Sequence, residues 1–260
     1  VKVENPKGEK RRQALLVFGL WPVLEAIKTG VEIDRLFLQD ALESTRAIEL
    51  LQCVRARKIP YKRVPLQKLN RLTRKNHQGV VAFIAPIAFH NLEMLIPSLY
   101  EKGQTPLLLI LDRITDTRNF GALVRTAACA GVQGILIPTR NSAPITEDAI
   151  KTSAGALFEV PITRHPNLEA AIKYLQGSGI RIVAATEKAD TTAYELDWTR
   201  PTALLMGSEE DGISSAYLKI ADAQAKLPSF GGIGSLNVSV ACGVLLYEGV
   251  RQRTQTKGGN

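Results

Sequence analysis

Six short, largely apolar runs between residues 106 and 228 limit what this chain can fold into more than any other feature. They read PLLLILD (106–112), GILIP (134–138), ALFEVP (156–161), IRIVAAT (180–186), TALLMG (202–207) and AQAKLP (223–228). Helical patterns separate most of them, at 119–131, 146–154, 167–179 and 214–223, and a last one follows at 235–253. Apolar strands alternating with helices specify an α/β fold with a parallel sheet covered on both faces. Ligands in such sheets bind outside the carboxyl ends of the strands.

Ahead of this domain, residues 15–88 read as a small α/β module. Strands are expected at 15–19, 35–39, 61–65 and 79–85, with helices at 21–30, 44–58 and 66–74. Residues 89–105 hold one amphipathic helix and are read as a linker; 1–14 and 254–260 are read as tails, the first disordered. Charge separates the parts. Residues 1–105 carry 18 Lys and Arg against 10 Asp and Glu, whereas the remainder carries 15 of each. No acid lies between Glu49 and Glu93. One basic run is often only a solvated face, but segregation onto one module points to a polyanion such as RNA or DNA. A membrane partner is not expected, because no basic helix with bulky aromatics appears and no apolar run is long enough to span. Cys53, Cys129 and Cys242 are few and widely spaced, as in a reducing, cytoplasmic compartment. The first 13 residues are too polar for a signal-peptide core.

Three loops hold more polar groups than a fold needs. In LDRITDTRNFGALVRTAACAGV (111–132), Asp116 to Asn119 stand at a helix entrance, with Thr117 or Asn119 suited to be its N-cap. Arg125 lies two turns in, among small apolar residues, and such a guanidinium is expected to need a carboxylate, a phosphate or a carbonyl partner. In ALLMGSEEDGISSAYL (203–218), three consecutive acids are flanked by Gly207 and Gly212. In KLPSFGGIGSLNVSVA (226–241), a glycine-rich stretch feeds a helix whose first turn contains Ser235, Asn237 and Ser239. A glycine-rich loop at a helix start offers N–H groups to a polar ligand. The dinucleotide fingerprint fails at its third glycine. There is no P-loop, no H-E-x-x-H, no C-x-x-C and no G-x-S-x-G, so no metal is expected.

Taken in order, N-F-G-A-x-x-R-T-A at 119–127, M-G-S-E-x-x-G at 206–212 and L-P…S-L-N-V-S-V-A at 227–241 resemble the three motifs of the SPOUT superfamily, in particular the TrmH-type RNA 2′-O-ribose methyltransferases. FGLWPVLEAI (18–27) and KNHQGVVA (75–82) resemble that group's substrate-binding domain, of the type related to ribosomal protein L30e. The nearest subgroup is that acting on a guanosine of 23S rRNA. The resemblance implies a SPOUT domain over 106–253 with a deep C-terminal trefoil knot, S-adenosyl-L-methionine as cofactor, and a homodimer. It places catalysis on Asn119, Arg125, Glu209, Ser235 and Asn237, and cofactor contacts on Gly207, Leu227, Leu236 and Thr186. Arg125 would activate the ribose 2′-hydroxyl, as base or as electrostatic partner; a guanidinium deprotonates only above pH ~12. Asn237 would accept from the 2′-hydroxyl and donate elsewhere, fixing orientation. Ser235 would position ribose or cofactor, Glu209 would orient Arg125 or the cofactor, and Asn119 would align substrate or the dimeric site. Lys68, Arg71, Arg74, Lys75 and His77 are the RNA-binding candidates. Other readings are the same chemistry on tRNA, or a non-catalytic RNA-binding assembly factor on this scaffold.

Overall fold

The computed structural model describes residues 16–257 except 41, 43, 85, 86 and 233. The tail expected at 1–14 lies outside them. The chain divides into two compact units: one runs to Ala88 and takes in Ile145–Glu147, and the other holds Phe89–Pro144 and everything from Asp148.

In the first unit the strands β1 (Leu16–Phe18), β2 (Ile33–Gln39), β3 (Tyr61–Val64) and β4 (Val80–Ile84) form one sheet in the order β1-β4-β2-β3. Only β2 and β3 run parallel. Helices α1 (Leu20–Lys28) and α2 (Thr45–Ala56) bury Val23, Leu24, Ile27, Leu50 and Val54 against Leu36, Leu38, Val80 and Ala82. Ser44 caps α2 by accepting from Ala47 N at 3.2 Å. The short helix α3 (Leu66–Leu72) places Leu69 on the other face, with Phe18, Phe37 and Phe83.

The second unit carries the expected parallel sheet. Its strands are β5 (Leu107–Leu111), β6 (Gly134–Pro138), β7 (Ile162–His165), β8 (Arg181–Ala185), β9 (Thr202–Met206) and β10 (Ala223–Ala225). All neighbours run parallel in the order β10-β8-β9-β5-β6-β7. From β5 the chain builds outward through β6 and β7, then crosses and fills the other side. The order therefore reverses between β5 and β9, where open α/β sheets form their ligand crevice.

Three expectations change here. ALFEVP is not a strand: Ala154 and Gly155 take φ of 51° and 90°, and a single 3₁₀ turn at Ala156–Phe158 follows. Val160 N donates back to Ala156 O, and only after Pro161 does the chain extend into β7. The 89–105 segment falls within the second unit. Its helix α4 (Leu92–Glu101) buries Leu92, Ile96 and Leu99 beside Leu108 and Leu136. The last helix begins at Val238, not Ser235, and runs through Lys257 into the stretch read as a tail.

Between the strands lie α5 (Thr117–Cys129), α6 (Glu147–Thr152), α7 (Leu168–Gly177) and α8 (Ser215–Ile220), and α9 (Val238–Lys257) ends the chain. Helices α5 and α9 pack together, with Gly243 facing Thr126. Gly121 lets α5 approach α6, since a Cβ there would lie 2.7 Å from Thr152 Cβ. The far end of α9 is clamped: Arg253 donates to the carbonyls of Trp198, Arg200, Thr105 and Pro106. Gln252 accepts from Trp198 N and donates to Leu196 O.

Candidate functional site

The crevice between β5 and β9 is tied shut at its base. Asp112, which ends the apolar run of β5, is buried and accepts from Ser214 N at 2.8 Å and Ser214 Oγ at 2.7 Å. Arg113, at φ 56°, turns back across the crevice and donates to Asp211 at 2.9 Å and to Gly212 O at 3.1 Å. The loops after β5 and β9 thus form one rigid assembly. Neither Asp112 nor Arg113 was singled out from sequence; the signal available was an Asp-Arg pair directly after five buried apolar residues.

Asp116, not Thr117 or Asn119, is the N-cap of α5, accepting from Asn119 N at 2.7 Å. The side chain of Asn119 is thereby left for other use. After β9, Ser208 and Gly212 pair through reciprocal backbone bonds of 3.1 and 3.0 Å, closing a tight turn with Glu209, Glu210 and Asp211 at its tip. Gly207 is required by that turn, because a Cβ would overlap the Gly212 carbonyl and the Ile213 nitrogen.

Asn237 joins the three loops. Its Oδ1 accepts from Ser239 N at 3.0 Å and Val240 N at 3.4 Å, and Ser239 Oγ donates to it as well. Asn237 is therefore the cap of α9. Its Nδ2 donates to Glu209 at 2.6 Å and to Asn119 Oδ1 at 3.1 Å. The amide orientation is fixed by its surroundings: one end faces backbone donors and must be oxygen, the other faces a carboxylate and must be nitrogen. Because Oδ1 is already saturated, Asn237 does not stand ready to accept from a ribose hydroxyl. It organises the site. Ser239 supports the cap, and Ser235 lies exposed with no hydrogen bond to a described residue.

Of the partners expected for Arg125, the described residues supply none. Arg125 is on the exposed side of α5, opposite buried Leu123, Val124 and Ala127, and forms no hydrogen bond or ion pair with any described residue. It needs no internal partner and is free to meet an external anion. Thr186, Gly207 and Leu227 follow the carboxyl ends of β8, β9 and β10, three neighbouring strands. Thr186 N donates to Ala225 O at 3.0 Å, Leu227 is half-buried, and Leu236 is 53% exposed. Two leucines, a threonine hydroxyl and free loop backbone suit a ligand with both apolar and hydrogen-bonding parts. Cys242, one turn into α9, is buried, which pushes its thiol up to about 12. Among the described residues no group of three or more His, Cys, Asp or Glu is placed to hold a metal.

In the first unit Lys68, Arg71, Arg74 and Lys75 are exposed. Lys68 Nζ stands 5.5 Å from the Phe37 ring centroid and Lys75 Nζ 5.8 Å from that of Phe18. His77 is not available to RNA. It is buried, Nδ1 accepts from Gly79 N at 3.1 Å, and Nε2 lies 2.9 Å from Asn70 Oδ1. Accepting at Nδ1 puts the proton on Nε2, so both nitrogens of a neutral ring are used.

Two sequence profiles cover most of the chain. That of the SpoU rRNA Methylase family matches residues 106–247, and that of RNA 2′-O ribose methyltransferase substrate binding matches residues 16–89. A Staphylococcus aureus protein assigned to the TrmH family of tRNA/rRNA methyltransferases is 36% identical over 239 residues, 92% of this chain and 96% of that one. A Mycolicibacterium smegmatis protein described as a tRNA/rRNA methyltransferase is 37% identical over 248 residues, 95% and 79% of the two chains. Among solved structures, the SpoU methyltransferase AviRb from Streptomyces viridochromogenes in complex with the cofactor AdoMet aligns with TM-score 0.60 and 26% identity, over 96% of this chain and 95% of that one. An AdoMet-bound rRNA methyltransferase from Sinorhizobium meliloti aligns with TM-score 0.59 and 27% identity, over 92% and 87%.

Proposed function

The chain belongs to the SpoU rRNA methylase family of S-adenosylmethionine-dependent RNA methyltransferases, and from that premise we propose that it methylates a ribose 2′-hydroxyl, on a guanosine of 23S rRNA. The observation that carries this reading is the Asn237 carboxamide, which binds Asn119 and Glu209 across 118 and 28 residues of sequence and brings all three motif loops to one crevice.

The cofactor, when bound, supplies an electrophilic methyl group. The protein's share is alignment and handling of a weakly acidic proton. Thr186, Gly207, Leu227 and Leu236 would hold the cofactor, and Ser235 would position ribose. Asn237 fixes Glu209, whose second carboxylate oxygen is free to orient Arg125 or a cofactor group. Arg125, exposed and unpaired among the described residues, stabilises the developing 2′-oxyanion as a cation. The first unit holds the RNA through Lys68, Arg71, Arg74 and Lys75 in a cytoplasmic enzyme.

A homodimer is supported by α9, where Val240, Val244 and Tyr247 stand 50%, 38% and 50% exposed at helical spacing, an apolar stripe suited to a second copy. Threading of the C-terminal segment into a knot is supported by Lys226, whose backbone bonds Thr191 O and Ala193 N, while 196–200 grips the end of α9.

The test is transfer from labelled S-adenosylmethionine to unmodified 23S rRNA and, separately, to tRNA, with ribose methylation mapped by reverse transcription. One modified guanosine in 23S rRNA is expected. Modification of tRNA alone, or of neither, overturns the proposal.

A further inference from the structure

Beyond the basic tract, the first unit contains a cleft of about 470 Å³ at the carboxyl end of β2, beneath α3 and the loop before β4. Four carboxamides line it, Gln39, Asn70, Asn76 and Gln78, with Arg74 and Lys75 at its rim. A site for phosphate alone would be built of cations. A carboxamide sets one donor and one acceptor side by side, the pattern that a nucleobase edge presents.

Two of the four are oriented by bonds within the protein. Asn70 Oδ1 is held by His77 Nε2, and Gln78 Oε1 accepts from Leu20 N at 3.1 Å. Each therefore keeps its NH₂ group as a fixed donor. Gln39 and Asn76 make no side-chain hydrogen bond with any described residue. Leu66, 45% exposed in the same lining, offers apolar surface to a base face.

The loop beneath is locked. Gln78 adopts φ 49° and Gly79 φ 77°, and a Cβ on Gly79 would lie 2.6 Å from Leu42 Cδ1 and 3.0 Å from Gln39 Oε1. A non-glycine residue held in the left-handed region beside unpaired amides is the kind of strain found at ligand sites. The buried His77 pins the loop from behind.

We propose that this cleft reads one unpaired base of the RNA, with Arg74 and Lys75 holding the adjoining phosphates. The inference rests on the RNA reading above and adds sequence selectivity to it. Two fixed NH₂ donors favour guanine, whose O6 and N7 stand side by side, and uracil, with its two carbonyls, over adenine and cytosine, which set an amino donor beside the ring-nitrogen acceptor. Single-stranded, splayed-out bases are the part of RNA that proteins read in this way.

The full chain is titrated, by fluorescence anisotropy, with pentamers of abasic ribose phosphate carrying one central base, G, U, A or C. A wholly abasic pentamer and a pentaglutamate peptide are titrated alongside. G and U are expected to bind about tenfold more tightly than A and C. The double variant Asn70→Asp, Gln78→Glu keeps the oxygens that meet His77 and Leu20 N, removes both fixed donors, and should abolish the preference for G and U. Arg74→Ala should weaken all alike and lower the salt slope by ~0.7. Asn76→Asp, nearly isosteric, should move preference toward the amino-bearing A and C, which guards against misfolding of the double variant. Equal binding of all pentamers, a preference that survives the double variant, or tighter binding of the peptide overturns the proposal. Cofactor binding and transfer to rRNA, measured on the same preparations, separate the two readings: loss of transfer with base preference intact sinks the function and spares the pocket.

Discussion

Replacing Asn237 by Asp separates its two duties. The new carboxylate keeps an oxygen facing the first N–H groups of α9, and Asp caps as well as Asn. The cap itself is therefore kept, whereas Asn237→Ala loses it, at a cost of about 1 kcal/mol. The donor is lost in both. The bond from Nδ2 to the Glu209 carboxylate, 2.6 Å long but exposed, is taken at the low end for a charged acceptor, about 1.5 kcal/mol, and the bond to Asn119 at about 1 kcal/mol. Two carboxylates near 4 Å in water-like surroundings repel by about 1 kcal/mol more. Together about 3.5 kcal/mol acts against the joined geometry, so transfer should fall by a factor on the order of several hundred. The assay is single-turnover methyl transfer alongside thermal unfolding. Combining Asn237→Asp with Glu209→Gln exchanges donor and acceptor, and the double-mutant cycle should show a favourable coupling of about 1–3 kcal/mol. Transfer within threefold of wild type in Asn237→Asp, or strict additivity in the cycle, would refute the argument that this carboxamide assembles the site.

Arg125→Ala should abolish transfer yet shift unfolding by no more than about 0.5 kcal/mol, since the side chain is exposed and bonded to no described residue; calorimetry and transfer measured together check this. Gly207→Ala should destabilise by about 3 kcal/mol, because its Cβ overlaps the 212–213 backbone; a denaturant midpoint unchanged from wild type would contradict that. Glu248 is bound by Arg251 through two 2.8 Å bonds and by Gln252 at 2.7 Å, and the Arg251 bond first, then Gln252, holds its carboxyl below the usual range. A depressed carboxyl stabilises the fold above its unfolded pKa and loses that contribution as pH falls through the lower folded value. Glu248→Gln should therefore narrow the stability gap to wild type between pH 7 and the acid range, read from unfolding at a series of pH values.

Much of this molecule is written in local pattern. The five-residue run LLLIL is short enough to read as a strand buried on both faces, and burial of Leu123, Val124 and Ala127 follows from helical spacing. The same spacing turns Arg125 outward, so its exposure was legible too, had the helical wheel been weighed above its apolar neighbours. ALFEVP was not legible as a turn, because the left-handed Ala154 that diverts it carries no compositional mark. Nor was the cap of α5, where Asp116, Thr117 and Asn119 are all competent and only the tertiary path chooses. Asn237 shows the limit most clearly. Its motif located it, but its role depends on Glu209 and Asn119, which only the folded sheet brings within reach. His77 likewise looked like a surface ligand until Asn70 and Gly79 enclosed it.

The clamp on α9 has a consequence for how the molecule is made. Asn119 meets Asn237 across 118 residues, and Thr105 meets Arg253 across 148. At synthesis rates of about 5–20 residues per second, the first motif waits on the order of ten seconds for the third. On the proposed reading, a nascent chain with all six strands of the second sheet complete but without α9 has no methyl-transfer centre, and a product stopped there should be inactive rather than impaired. Catalytic competence, on that reading, arrives only when α9 docks beside α5.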